Sequence, residues 1–176
     1  RTAIIATDTD WSTSRFTIDD SQEVENHEQA LFEVRSLLQP TTLTIDRLVR
    51  DQKQLDLRPA QACYVAVRND RVKRFIRRGP NRNDGMAQRD CFILHRDGSI
   101  EGGIDWDYDH ISWISARPID DKQLVLRGGV FTTIANQMKQ EVGYNYWGRN
   151  IVITRSNTEV RGLRHAVGGE TSDGHP

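Results

Sequence analysis

The sequence predicts an α+β domain, an antiparallel β-sheet preceded by two helices and followed by a third helix and a closing strand. Three observations carry this expectation: apolar residues at helical spacing before Pro40, a change to strand periodicity from Gln61 onward, and a second helical stripe after Gly128-Gly129. Helices grouped ahead of strands argue against a doubly wound parallel sheet.

Residues 2–7, Thr-Ala-Ile-Ile-Ala-Thr, read as a short strand that enters an Asp/Ser/Thr loop at 8–14. Asp20 followed three residues later by Glu23 has the form of a capping box, and Val24, Leu31, Val34 and Leu38 recur at helical spacing until Pro40 stops the helix. A second helix is predicted from about Thr44 to Leu55, because Ile45, Leu48, Val49 and Leu55 share one helical face and Pro59 closes the segment. Strands are predicted at 61–67, 72–77, 90–95, 99–104, 111–116 and 122–127, where Val, Ile, Tyr, Phe and Trp lie between turn residues. Asp97-Gly98 suits the positive φ angles of a two-residue hairpin turn. After Gly128-Gly129, the stripe Val130, Phe131, Ile134, Ala135, Met138 and Val142 predicts the third helix, with Gly143 ending it. Ile151-Val152-Ile153 reads as the last buried strand. The expected organisation is a single domain over 1–167 with a polar tail at 168–176, and no internal repeat is evident.

A chain of 176 residues can bury a core without disulfides or metal staples. Its 36% hydrophobic and 28% charged residues are polar for a globular protein but far from a disordered composition. With a formal net charge of −1, no global field draws it toward nucleic acid or an anionic membrane, so an electrostatic partner must be recognised locally. No apolar run approaches the roughly twenty residues that span a bilayer, which predicts a soluble protein without a membrane partner. The chain begins at Arg1, the mark of a processed or excised chain, which leaves localisation open. Cys63 and Cys91 lie in apolar stretches and read as free, buried thiols, with a cross-strand disulfide as the alternative.

Charge is segregated along the chain. Arg68, Arg71, Lys73, Arg74, Arg77, Arg78, Arg82 and Arg89 are opposed within their segment only by Asp70 and Asp84. A strand at 72–77 would place basic groups on both faces, as a projecting or edge hairpin does. Such a ribbon suits phosphate oxygens or an acidic protein surface. The front of the chain is acidic: Asp8, Asp10, Asp19, Asp20, Glu23, Glu25, Glu28 and Glu33 are opposed before Arg35 only by Arg15. Helix-start chemistry accounts for part of this. The acidic front of one copy meeting the basic segment of another would build an oligomer.

The segment Gly102-Gly103-Ile104-Asp105-Trp106-Asp107-Tyr108-Asp109-His110 would, if extended, turn Asp105, Asp107 and Asp109 to one side, a set of oxygens suited to a hard divalent ion. It is not an EF-hand loop, since His110 stands at its sixth position and Ala116 at its twelfth. Its plainer reading is an acidic loop with Trp106 and Tyr108 covering core edges. Arg127-Gly128-Gly129 could offer amides to an anion at a helix start, but it lacks a Walker-type Lys-Ser/Thr and reads better as a tight turn into the third helix. Tyr144, Tyr146 and Trp147 would pack that helix's end or offer an interaction surface. His27, His95, His110, His165 and His175 show no HxxxH or HxH spacing.

Residues 91–103, Cys-Phe-Ile-Leu-His-Arg-Asp-Gly-Ser-Ile-Glu-Gly-Gly, resemble the central hairpin of phage-type N-acetylmuramoyl-L-alanine amidases of the peptidoglycan-recognition fold. The resemblance implies a hydrolase whose zinc is held by a histidine ending the first strand and by two late ligands. Here the first strand ends Ile5-Ala6-Thr7 and no matching late pair is evident, so no catalytic residue follows from it. The leading expectation is a non-enzymatic binding or assembly module, a subunit of a larger particle, that contacts nucleic acid or an acidic protein surface through the basic 68–89 segment. Arg71, Lys73, Arg74, Arg77, Arg78 and Arg82 would be its contact residues. The alternatives are a metal-dependent or amidase-like hydrolase centred on the acidic 105–110 loop, and a ligand-sensing domain. No cofactor is predicted, and the candidate residues for a divalent metal are Asp105, Asp107, Asp109 and His110.

Overall fold

The computed structural model describes residues 3–19, 21, 30–75, 85–134 and 151–169, and none of these is helical. The expected α+β class is therefore corrected to an all-strand architecture with both parallel and antiparallel sheets. The described strands fall into two compact units, Arg1–Leu37 with Asp120–Pro176, and Leu38–Ile119.

The described residues of the first unit hold nine short strands. They are β1 (Ala3–Ile5), β2 (Thr9–Asp10), β3 (Arg15–Asp19), β4 (Phe32–Val34), β9 (Leu124–Arg127), β10 (Val130–Ile134), β11 (Ile151–Ile153), β12 (Thr158–Arg161) and β13 (Arg164–Gly168). They form three three-stranded sheets, β1-β4-β11, β2-β9-β12 and β3-β10-β13, and every pairing within them is parallel. Each sheet takes one strand in turn from each third of the set. The chain thus winds through three rungs of a three-sided parallel β-solenoid, in which a rung buries its apolar side only by stacking on its neighbours.

Interior columns run through these rungs in register: Ile5 over Val34 over Ile153, and Phe16 over Phe131 over His165. The middle rung is covered on both sides, so Val34, Leu126 and Phe131 are at most 1% exposed. In the third rung, where no described residue stacks further, Ile153, Val160 and Val167 are 45%, 41% and 37% exposed. Trp11, Phe16, Phe32 and Phe131 form the aromatic centre, with Phe16 stacked on Phe131 at 4.7 Å between centroids. Gly128 makes the corner between β9 and β10 possible: its φ is +72°, and a Cβ there would lie 2.6 Å from the Cα of Ser12 on the rung beside it.

Where they are described, the first and third predicted helices are not helical. Leu31 and Val34 belong to strand β4 and its approach, while residues 22–29 lie outside the described residues. Val130, Phe131 and Ile134 belong to β10, and Ala135, Met138, Val142, Gly143, Tyr144, Tyr146 and Trp147 lie outside the described residues. The Val-Phe-Thr-Thr-Ile run is β-branched or aromatic throughout, a composition that favours a pleated strand over a helix despite its i, i+4 apolar spacing. Ile151–Ile153 is followed by two further strands, β12 and β13, rather than being the last. Residues 170–176 of the predicted tail lie outside the described residues.

A polar knot sits where the chain rejoins this unit. Asp120 accepts from Ser36 Oγ at 3.0 Å and from Ser156 Oγ at 3.2 Å, and its carboxylate lies 3.4 Å from Arg155 Nε. Arg155 in turn donates to the carbonyls of Lys122, Ser156 and Asn157. Both charged side chains are about nine-tenths buried, and the pairing with these acceptors is what makes their burial tolerable.

The second unit enters the chain between β4 and β9. Its strands are β5 (Cys63–Arg74), β6 (Met86–Leu94), β7 (Ile100–Gly102) and β8 (Trp113–Pro118), in one antiparallel sheet ordered β7-β6-β5-β8. The predicted strands 61–67 and 72–77 overlap one continuous strand, β5, with a bulge between Asn69 and Lys73; residues 76–77 lie outside the described residues. The β6–β7 hairpin forms at Asp97-Gly98, but through a three-residue loop. His95 N–H donates to Ser99 C=O and only Gly98 takes a positive φ, +81°.

Alternation in β5 sends Cys63, Val65 and Val67 to a core completed by Phe92, Leu94, Ala116, Ile104 and Tyr108. The predicted second helix, Thr44 to Leu55, is irregular extended chain lying over this core. Ile45, Leu48 and Leu55 are buried as its apolar spacing implies, but the segment is held by bridges of Leu48 to Tyr108 and of Gln54 to Ser99 rather than by helical bonds. Asp51 has a φ of +61°, which no helix interior accepts. Among the described residues no helix is long and apolar enough to cross a membrane.

Candidate functional site: the open face of the second sheet

Because the core of the second unit uses one face of its sheet, period-two alternation leaves the other face uncovered by that core among the described residues. Along β5 this face carries Tyr64, Ala66 and Arg68. Opposite them in register stand Ile93, Cys91 and Arg89 on β6 and Arg117, Ser115 and Trp113 on β8. Tyr64 and Trp113 are 47% and 44% exposed. Beyond the bulge Lys73 pairs with Ala87, which alternation places on the same side as Arg89.

A groove of about 590 Å³ lies in this face, lined among others by Tyr64, Ala66, Arg68, Arg89, Asp105 and Trp113. The small side chains of Ala66 and Cys91 are part of its lining. Arg68 lies over the Trp113 ring at 5.5 Å. Its Nε is 2.8 Å from Asp70 Oδ1, a close ion pair whose direction is wrong for a hydrogen bond, and its Nη2 donates to Asp70 Oδ2 at 3.2 Å. The charge of Arg68 is thus largely answered within the protein. The Cys91 side chain beside the Tyr64 hydroxyl, and then partial burial, raise the phenol above its usual value.

The wall formed by Asp105 is set from behind. Asp90 Oδ2 accepts the Asp105 N–H at 3.2 Å, and burial pushes the Asp90 carboxyl above the usual carboxylate range. Tyr108, fully buried beside Asp90 and Gln88, is pushed upward by burial and by the Asp90 charge. Its hydroxyl finds no partner in hydrogen-bond geometry even though both groups are neighbours.

The two candidate regions of the sequence meet here. Arg74 is not a free phosphate ligand: its Nε and Nη2 both donate to Gln88 Oε1, at 3.0 and 2.6 Å, and its guanidinium lies 4.0 Å from the Trp106 ring centre. Gln88 passes the contact on to the Asp107 carbonyl at 3.0 Å. Arg71 and Lys73 are exposed, while Arg77, Arg78 and Arg82 lie outside the described residues. The acidic loop does not gather its carboxylates. Asp107 Oδ1 accepts from Arg50 N–H at 2.8 Å, Asp109 Oδ1 accepts from Asn69 Nδ2 at 3.3 Å, and Asp105 faces the groove. Among the described residues no three of His, Cys, Asp and Glu stand where they could hold a metal ion, and the candidate set Asp105, Asp107, Asp109 and His110 is not assembled. The bridge between Leu48 and Tyr108 pins the loop, and the extended alternation that would have aligned the three carboxylates is lost.

Both cysteines are free; Cys63 is buried as expected, whereas Cys91 is exposed on the open face, a correction to the expectation of two buried thiols. Arg127-Gly128-Gly129 forms a strand-to-strand corner rather than a helix start, and Arg127 is engaged with Asp10. Sequence reasoning placed no contact on Tyr64, Trp113 or Arg117. The signal was present in the alternation of Cys63-Tyr64-Val65-Ala66-Val67-Arg68, which separates an apolar face from one carrying an aromatic and an arginine. No protein-family model, no curated protein and no solved structure matches the chain.

Proposed function

We propose that the protein is a non-enzymatic binding module whose contact surface is the open face of the inserted sheet, and that its partner is an acidic protein surface. One observation carries the reading: Tyr64, Trp113, Arg68, Arg89 and Arg117 share a face that the domain's own core leaves unused. Tyrosine, tryptophan and arginine are the residue types that dominate binding energy at protein interfaces. Lys73, Arg89 and Arg117 give the face a basic rim, while its acidic members are partly spoken for: Glu101 bonds His95 at 2.9 Å and Asp70 bonds Arg68. The basic 68–89 segment keeps a role in this reading, through Arg68, Lys73 and Arg89 rather than through Arg74.

A second reading, single-stranded nucleic acid stacked on Tyr64 and Trp113, draws on the same exposed rings. It is the weaker reading because a phosphate chain needs a continuous track of cations, and Arg68 is paired with Asp70 and Arg74 with Gln88. Equilibrium titration of the protein with a labelled oligoglutamate peptide and with an oligothymidylate strand, each over a range of salt, separates the two. Tighter binding of the peptide, weakening as salt rises, is expected. Preference for the strand would transfer the proposal to nucleic acid, and binding of neither at low salt would remove it.

A further inference from the structure

Two opposite charges line the groove without answering each other. Arg89 takes part in no ion pair or side-chain hydrogen bond among the described residues, and the Asp105 carboxylate likewise has none. The other charged groups nearby are occupied: Arg68 is paired with Asp70, and Asp90 accepts the Asp105 N–H. The volume of about 590 Å³ falls within the range of small-molecule sites. Its two aromatic side chains, Tyr64 and Trp113, stand four residues apart in register, roughly 13 Å along the strand direction, with the small Ala66 and Cys91 side chains between them.

The ligand that best matches such a lining supplies both missing charges and an apolar body. A simple anion meets Arg89 but is opposed by Asp105, and a simple amine meets Asp105 but is opposed by Arg89. A molecule carrying both charges gains from each without an uncompensated partner. We propose that this groove binds a small zwitterion, an α-amino acid whose carboxylate meets Arg89, whose ammonium meets Asp105, and whose side chain lies against Trp113 or Tyr64. The inference goes beyond the acidic-surface reading while resting on the same open face. Asp90 acts as a positioning residue, because its carboxylate fixes the backbone that carries Asp105.

Calorimetric titration of the full chain with L-phenylalanine tests this against two probes that each lack one charge, phenethylamine and 3-phenylpropionate. L-Phenylalanine is expected to bind at least roughly tenfold more tightly than either. Arg89→Gln should reduce its affinity by a similar factor while binding of phenethylamine tightens, because the opposing cation is gone, and Asp105→Asn should give the mirror result with 3-phenylpropionate. Both variants change exposed side chains, and an unaltered melting temperature shows that they fold. Equal affinity for all three probes, or no binding of L-phenylalanine and L-alanine up to their solubility limits, overturns the proposal. The oligoglutamate titration on the same preparation keeps the two readings apart. Peptide binding without amino-acid binding removes only this inference, and the reverse removes only the acidic-surface partner.

Discussion

Arg127 and Asp10 face each other on adjacent rungs of the solenoid although 117 residues separate them, and the guanidinium donates to Asp10 Oδ2 from Nη2 and, at 3.1 Å, from Nε. Hydrogen bonding from Ser12, and then from Arg127, holds the Asp10 carboxyl well below the usual carboxylate range. A folded-state value below the unfolded one stabilises the protein above the unfolded pKa, and that contribution is lost as pH falls through the folded value. Asp10→Asn is therefore expected to melt at a lower temperature than the wild type at pH 7, with the gap closing in strong acid. Thermal melts across that range check it, and an unchanged gap at all pH values would contradict it.

Phe131 is the keystone of the solenoid interior, 1% exposed and in ring contact with Trp11, Phe16 and Phe32. Phe131→Ala should cost about 3–5 kcal/mol in denaturant unfolding. Val167→Ala, which removes a methyl pair from the exposed third rung, should cost less than about 1 kcal/mol. Similar losses at the two sites would mean that the rungs do not stack as described.

Asp120 and Arg155 make a second testable contact, nearly buried and 3.4 Å apart. Asp120→Asn leaves the guanidinium with carbonyl acceptors but no counter-charge, and a destabilisation of about 3 kcal/mol is expected in the same assay. A neutral result would show that the carbonyls of Lys122, Ser156 and Asn157 suffice.

In the inserted unit, burial raises the Asp90 carboxyl, so the sign is opposite to that of Asp10. Stability from this group is fully present below the unfolded pKa and is lost as pH rises through the raised folded value. Asp90→Asn should remove that loss and flatten the pH dependence between weak acid and neutrality. The Tyr108 hydroxyl has no hydrogen-bond partner, so Tyr108→Phe should change stability by less than about 1 kcal/mol in either direction. A large loss would reveal a bond from that hydroxyl to Asp90 or Gln88.

Local signals in the sequence were legible where neighbouring residues decide the structure. Cys63–Arg74, Met86–Leu94, Trp113–Pro118 and Leu124–Arg127 overlap predicted strands, and Asp97-Gly98 turns a hairpin. The second predicted helix, Thr44 to Leu55, gives way to bridges with Tyr108 and Ser99, and the described parts of the first and third give way to stacking between rungs. Val34 finds its stacking partners in Ile5 and Ile153, and Phe131 finds its partners in Phe16 and His165, at separations no local window spans. Strands of three to five residues are too short to display alternation, and spacing such as that of Val130, Phe131 and Ile134 then imitates a helix. The repeat was hidden as well, because the second rung is interrupted between β4 and β9 by the entire Leu38–Ile119 unit. At the candidate site, charge along the sequence does not tell which arginines are already engaged. Arg74 is held by Gln88 and Trp106, whereas Arg89 lines the groove unpaired.

Binding of the oligoglutamate peptide to two charge-matched variants tests the contact face most directly. Arg89→Ala with Arg117→Ala removes two cations from the open sheet face, and Arg161→Ala with Arg164→Ala removes two exposed cations from the solenoid. The first pair is expected to weaken binding by roughly tenfold or more while the second leaves it unchanged. Equal weakening by both pairs would show attraction to net charge alone and contradict the assignment of this face.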